Sequence, residues 1–209
     1  MNKITRSLGL AAVVVCLQIE PVTAVGTSMP KTFRTESPRI QADEPTLPLF
    51  GHTVFCLTYP EECRAKGVMF RRGRIKLNER RRGELASINH SVNRAIFPAR
   101  GPISVVEQMW RISPNSGDCN DYAVTKRHEL LGKGWPSSAL LLAEVVTSWG
   151  DHHLVLVIRA REGDFVLDNL TDRIRHWSEA SYRWIKIQSG RDPKLWSAIK
   201  REFLLASRN

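Results

Sequence analysis

The stretch NSGDCNDYAVTKRHELLGKG, residues 115–134, sets Cys119 between Asp118 and Asp121 where turn-forming residues give way to a helical pattern. A sulfur in the first turn of a helix sits among unpaired backbone N–H groups and at the positive end of the dipole, and both favour thiolate over thiol. A thiolate nucleophile also needs a base or imidazolium partner, which in turn needs an orienting group. The later run DHHLVLVIRAREGDFVLDNL, residues 151–170, offers both: His153 opens one strand of an expected hairpin and Asp168 lies near the end of the other. If the hairpin turns symmetrically at Glu162–Gly163, Asp168 opposes Val157, which shares a face with His153 while His152 points the other way. That register leaves His153 and Asp168 roughly 13 Å apart at about 3.3 Å per residue, so a bulge or a different turn has to bring them together. An even register shift keeps both on one face, and an odd shift favours His152 instead. The plain alternatives are a buried hydrophobe for Cys119, a turn residue for Asp168 and ordinary strand ends for the histidines. A zinc site of Cys119 with two histidines is disfavoured, because adjacent strand residues diverge and no Cys-x-x-Cys or His-x-x-x-His pair supports it.

The elements that must position these residues can be read from periodicity. From Ile75 to Ile96 the apolar residues Leu77, Leu85, Ile88, Val92 and Ile96 recur every three to four positions, predicting a helix with NERRRGE on its solvated side. No aromatic residues interleave with that arginine run, so a solvated face explains it better than a nucleic-acid surface. The next helix starts after NSGD, with Asp118 or Ser116 as cap, carries Ala123, Val124, Arg127, Leu130 and Leu131 on one stripe, and stops at GKG. ALLLAEVVTSW, HHLVLVIRA, DFVLDNL and YRWIKIQ then read as strands. DPKLWSAIKREFLLA returns to helical spacing. Helices first, an antiparallel sheet next and a last helix predict an α+β domain.

The chain has 209 residues, enough for one domain with a substantial core, and its 42% apolar and 25% charged content excludes wholesale disorder. A net charge of +10 suits acidic partners without choosing one. Lys3 and Arg6 precede the apolar run Leu8 to Leu17, which is too short for a membrane-spanning helix and reads as a signal peptide, residues 1–24, cleaved after Ala24. The expectation is an exported, soluble protein, periplasmic or secreted, with an uncleaved anchor as the alternative. Residues 25–48, with four prolines, read as a flexible leader, and the folded domain as 49–209. Loss of Cys16 leaves Cys56, Cys63 and Cys119, an odd number. Cys56 and Cys63 could close a small disulfide loop, and spacing alone leaves that open.

GDCNDYAVTKRHELLGKGWPSSALLL, HHLVLVIRAREGDFVLDNL and YRWIKIQS together resemble the bacterial transglutaminase-like cysteine proteinases, a family that includes LapG-type periplasmic proteases of large surface adhesins. The family pattern is Gly-Asp-Cys-Glu-Asp-Tyr-Ala, then Lys-Arg, His-x-Val-Leu and Val-Leu-Asp-Asn-Leu. The resemblance extends from FCLTYPEEC through VNRAIFP and MWRISP to DPKLWSAI. It implies a papain-like or transglutaminase-like fold, Cys119 as nucleophile, His153 as base and Asp168 as orienting carboxylate. It further implies a thioester intermediate and a protein substrate, such as a surface adhesin, and it allows a membrane-bound regulator. The oxyanion donors would be backbone N–H groups at the helix start, with the Trp110 indole as a second candidate and packing as its duller role. Calcium-dependent relatives carry acidic residues on both sides of the cysteine. Here Asp118 and Asp121 remain but Asn120 replaces the third acid, so the set Asp118, Asn120 and Asp121 implies weak calcium binding or none, with helix capping by Asp118 as the competing role. Two other functions use the same residues: acyl transfer to an amine, and a non-enzymatic binding protein on this fold.

Overall fold

The computed structural model describes residues 39–67, 74–99 and 109–200. Its centre is β4 (Leu140–Val146), a strand in which every residue is buried. It pairs antiparallel on one side with β5 (His152–Ala160) and on the other with β8 (Arg183–Gln188). Both of its faces are covered, which is why LLLAEVV is a continuous apolar run rather than an alternating one. Leu140, Leu142, Leu154, Leu156 and Ile158 pack with Leu85, Ile88, Val92, Val124 and Leu130 of the helices. The odd-numbered Leu141, Ala143, Val145, Val155 and Val157 gather with Trp177, Tyr182 and Trp184 on the opposite face.

β6 (Gly163–Leu167) and β7 (Arg175–His176) extend the sheet beyond β5. On the other side β9 (Trp196–Ile199) and β1 (Ala42–Thr46) follow β8, giving the order β1-β9-β8-β4-β5-β6-β7, antiparallel at every step. Three helices, α1 (Phe50–Thr58), α2 (Glu79–Ala95) and α3 (Cys119–Gly132), complete the α+β arrangement. A two-residue parallel pair, β2 (Phe97–Pro98) with β3 (Ser116–Gly117), joins the end of α2 to the start of α3.

Two expectations change. The helical spacing of DPKLWSAIKREFLLA gives way to a strand: Trp196–Ile199 pairs with β8 and β1. A helix would have used Leu195 and Ile199 on one buried stripe, yet Leu195 is 59% exposed. Asp192 instead turns the chain, accepting from Lys194 N, and the Trp196 indole donates to His52 Nδ1 at 3.2 Å. Two open ladder edges and one buried indole outweigh a weak helical period. Residues 201–209 lie outside the described residues. The second change concerns the leader expected over 25–48, whose stretch Ala42–Thr46 is the outer strand β1, where Pro45 is tolerated because it sits at a sheet edge. The expected signal peptide and residues 25–38 lie outside the described residues.

The pairing of Cys56 with Cys63 is settled, with a disulfide across a Cα–Cα distance of 5.5 Å. It ties α1 to the short turn Pro60–Cys63 and leaves Cys119 the free cysteine among the described residues. α2 begins at Asn78, whose side chain accepts from Arg81 N, and its arginine run is solvated as expected, with Arg80 paired to Glu84 at 2.5 Å. Asn89 and Asn93, on the inner side of α2, donate to the carbonyls of Asp168, Thr171 and Asp172 and so fix the segment that follows β6. Among the described residues no helix is long and apolar enough to cross a membrane.

Candidate active site

α3 starts at Cys119 because Asp118 caps it. The Asp118 carboxylate accepts from Asn120 N and Asp121 N, while the Asp121 carboxylate reaches back to Asp118 N, a reciprocal capping box. Gly117 has to be glycine: a Cβ there would lie 2.2 Å from Asp121 Oδ2 and 2.7 Å from its Cβ. Asp121 is itself fully buried and holds the preceding loop by accepting from Arg111 N at 2.7 Å. Gly117→Ala is therefore expected to displace Asp121, open the cap and cost about 2 kcal/mol, as loss of a cap with crowding does. Urea denaturation checks the stability, and a loss under about 0.5 kcal/mol would show that the carboxylate moves aside freely.

The β5–β6 hairpin turns at Arg161–Glu162, one residue earlier than expected, with Gly163 at φ +135° supplying the backbone shape other residues avoid. Leu156 therefore pairs with Leu167 and Val157 with Val166. The shift is even, so the faces keep their assignment, and Asp168 stands two residues rather than four from the level of His153, about 7 Å along the strand. The side chains span that gap. His153 Nε2 and Asp168 Oδ1 are 2.8 Å apart, and both residues are buried. His152 faces away and binds Glu144 Oε1 at 2.7 Å.

Asp168 is held from every side. Tyr182 O–H donates to Oδ2, Leu170 N donates to Oδ1 at 3.1 Å, and Asn93 Nδ2 donates to its backbone carbonyl at 3.0 Å. Burial works to raise the Asp168 carboxyl, but the bonds from His153, Tyr182 and Leu170 outweigh it and hold it below the ordinary carboxylate value. Burial likewise pulls His153 down, yet Asp168 and the Cys119 thiol, which is in hydrogen-bonding reach, raise it to about 9. An imidazole so placed is imidazolium at neutral pH and stabilises a thiolate beside it. The structure thus brings Cys119, His153 and Asp168 to one place, from the start of α3, the start of β5 and the end of β6.

Sequence reasoning did not find Tyr182, Asn93 or Lys126. Tyr182 could have been suspected only as the polar first residue of YRWIKIQS. Lys126, two turns along α3 from Cys119, is 1% exposed and pulled to about 7 by burial, against the opposing pull of Asp168 and Asp172. Trp110 has a packing role: its ring is buried against His52 and Phe55 at centroid distances of 5.6 and 6.1 Å. His52, Cys56 and Cys63 form the one cluster of three potential metal-ligating side chains among the described residues, but both sulfurs are committed to the disulfide.

The sequence profile of bacterial transglutaminase-like cysteine proteinases matches residues 42–203. The chain belongs to that family. No curated protein sequence matches it. Among solved structures it is similar to Legionella pneumophila LapG. The calcium-bound form is 22% identical over 56% of this chain and 68% of that one, with a TM-score of 0.48. Another LapG structure is 23% identical over 60% and 72% of the two chains, with a TM-score of 0.47. For a transglutaminase-like cysteine proteinase, the profile spans the described strands and helices from β1 to β9, including the hairpin and the capped helix.

Proposed function

We propose that the protein is an exported cysteine peptidase, periplasmic or secreted after removal of residues 1–24, that hydrolyses peptide bonds of a periplasmic or cell-surface protein through Cys119, His153 and Asp168. The observation that carries the reading is the buried 2.8 Å His153–Asp168 pair facing the one free cysteine among the described residues, at the start of a capped helix. Cys119 Sγ attacks the acyl carbon and the carbonyl oxygen becomes an oxyanion. The Asp118 carboxylate takes the Asn120 and Asp121 N–H groups and its carbonyl takes Tyr122 N–H, which leaves the Cys119 N–H of the first turn to meet that oxyanion. His153, as imidazolium, gives its proton to the leaving amine and the C–N bond breaks, leaving a thioester. Water then attacks with His153 as base, and the acid product departs. Asp168 and Tyr182 act through His153, fixing its ring and favouring its charged form.

Incubating the purified protein with unfolded acidic proteins, with and without a labelled amine, tests this by mass spectrometry of the new termini. Free carboxylates at new C-termini are expected. Incorporation of the amine in their place would make the protein an acyltransferase with the same nucleophile, and intact substrates together with a Cys119 that resists alkylation would favour a binding protein. The pH dependence adds a sign. Leaving-group protonation needs the imidazolium, so kcat/KM falls as pH rises through about 9. The same raised value means that the stability His153 contributes is fully present below its ordinary ~6.5 and is lost as pH rises through about 9.

A further inference from the structure

Asp118 and Asp121 flank the nucleophile, and the family implies a calcium ion at such residues, so their fit to one can be tested atom by atom. Asp118 Oδ1 accepts from Asn120 N at 2.9 Å and Asp121 N at 3.4 Å, and its Oδ2 accepts from Asn120 Nδ2 at 3.1 Å. Asp121 Oδ1 accepts from Arg111 N at 2.7 Å, and its Oδ2 from Asp118 N at 3.3 Å and Arg111 Nη2 at 3.4 Å. Every carboxylate oxygen therefore already receives an N–H. Calcium takes six to eight oxygens at about 2.3–2.6 Å, and these donors already claim most of the lone pairs of the two carboxylates. Gly117 presses on Asp121 so closely that a Cβ would overlap its carboxylate, and no third acidic side chain joins the pair among the described residues. The residues do not fit the ion.

What occupies its electrostatic place is Arg111. Its guanidinium donates to Asp121 Oδ2 and to the Ser116 carbonyl at 3.1 Å, bridging the buried carboxylate to the chain just before Gly117. Its main-chain N–H grips the other carboxylate oxygen. Asn120 adds a neutral amide donor where an acidic residue would add a charge. We propose that Arg111 is a built-in cation that holds the nucleophile helix in its working geometry, making it a positioning residue for Cys119 and leaving the site independent of calcium. Side chain and main chain of one residue thus do together what a divalent ion does when carboxylates cluster without donors.

The catalytic consequence rests on reading Cys119 as the nucleophile, but the decisive measurements do not. Calorimetric titration of the full chain with calcium chloride, its thermal midpoint, and the iodoacetamide rate at Cys119 are each read with calcium or with a chelator, for the wild type, Arg111→Gln and Arg111→Lys. The wild type is expected to give no binding heat, no midpoint shift and the same alkylation rate in both conditions. Arg111→Gln should alkylate about 10-fold more slowly, the order expected for loss of one charge-assisted bond. Arg111→Lys should stay within about 3-fold of wild type because the charge remains. Rescue by lysine is a result that simple loss of packing would not give. The proposal is overturned by calcium binding or chelator sensitivity in the wild type, by Arg111→Gln matching the wild type, or by Arg111→Lys being as slow as Arg111→Gln. Should the glutamine variant not fold, the wild-type titration and Arg111→Lys still decide. A protein that passes these tests yet cleaves nothing would refute the peptidase reading and leave Arg111 in place.

Discussion

Cys119→Ala is expected to lower kcat/KM for peptide hydrolysis by about 10⁴-fold or more while leaving the thermal midpoint within a few degrees of wild type. The size follows from losing covalent catalysis altogether, since members of a nucleophile–base pair act as a unit and removing either forfeits most of their joint effect. The small stability change follows from position. Cys119 is half-buried at the first residue of α3, the cap is formed by Asp118 and Asp121, and alanine is a good helix former. Losing the Cys119 sulfur also removes one of the groups that raise His153, so its titration should move down from about 9. Assay of kcat/KM alongside calorimetry and imidazole NMR separates the two effects. Retained hydrolysis in the alanine variant would remove Cys119 from the chemistry.

The site was legible to the extent that its geometry is local. A cysteine after Gly-Asp at a helix start, and a hairpin whose alternation puts His153 and Asp168 on one face, need only short-range rules. Even the misplaced turn did no harm, because a shift of two residues conserves parity. The supports around the site were not legible, because they come from far along the chain. Tyr182 reaches Asp168 from the segment before β8, and Asn93 reaches it from α2 across 75 positions. Nothing in the local pattern of either residue announces a partner. The same holds for the sheet edge. Ile40 N meets Asp164 Oδ2 at 3.1 Å and Trp196 meets His52, pairs separated by 124 and 144 positions. A short segment such as WSAI takes its form from whichever open strand it meets, and periodicity cannot name that strand. Arg127 is buried on the stripe where the periodicity placed it, but its partner, 65 positions away, was not legible. The arginine sits where an apolar residue belongs on the stripe of α3, and the helix accepts it because Glu62 waits there.

That pair carries the largest expected stability effect. Arg127 is 1% exposed, donates from Nη1 to the Glu62 carbonyl at 2.7 Å and from Nε to the Leu140 carbonyl at 3.2 Å, and lies 3.6 Å from Glu62 Oε2. It so joins α3 to the start of β4 and to the turn closed by the Cys56–Cys63 disulfide. Burial pulls the guanidinium down to about 10 against the opposing charge of Glu62, which still leaves it protonated at neutral pH. Arg127→Ala would leave the buried Glu62 carboxylate with the His128 ring, at 2.9 Å, as its remaining side-chain partner, and would orphan two carbonyls and open a cavity. The expected loss is about 3–5 kcal/mol, the range for breaking one side of a buried pair. For a chain of this size that lowers the thermal midpoint by about 6–20 °C. The network already leaves Arg127 Nη2 and Glu62 Oε2 without hydrogen-bond partners, so its charges are not fully repaid by contacts. Arg127→Met with Glu62→Gln should for that reason recover most of the loss, because it removes both charges and keeps the volume. Equilibrium denaturation of the single and double variants measures both terms. A single variant within about 1 kcal/mol of wild type would mean that α3, and with it the Cys119 end of the helix, is held by its apolar stripe alone.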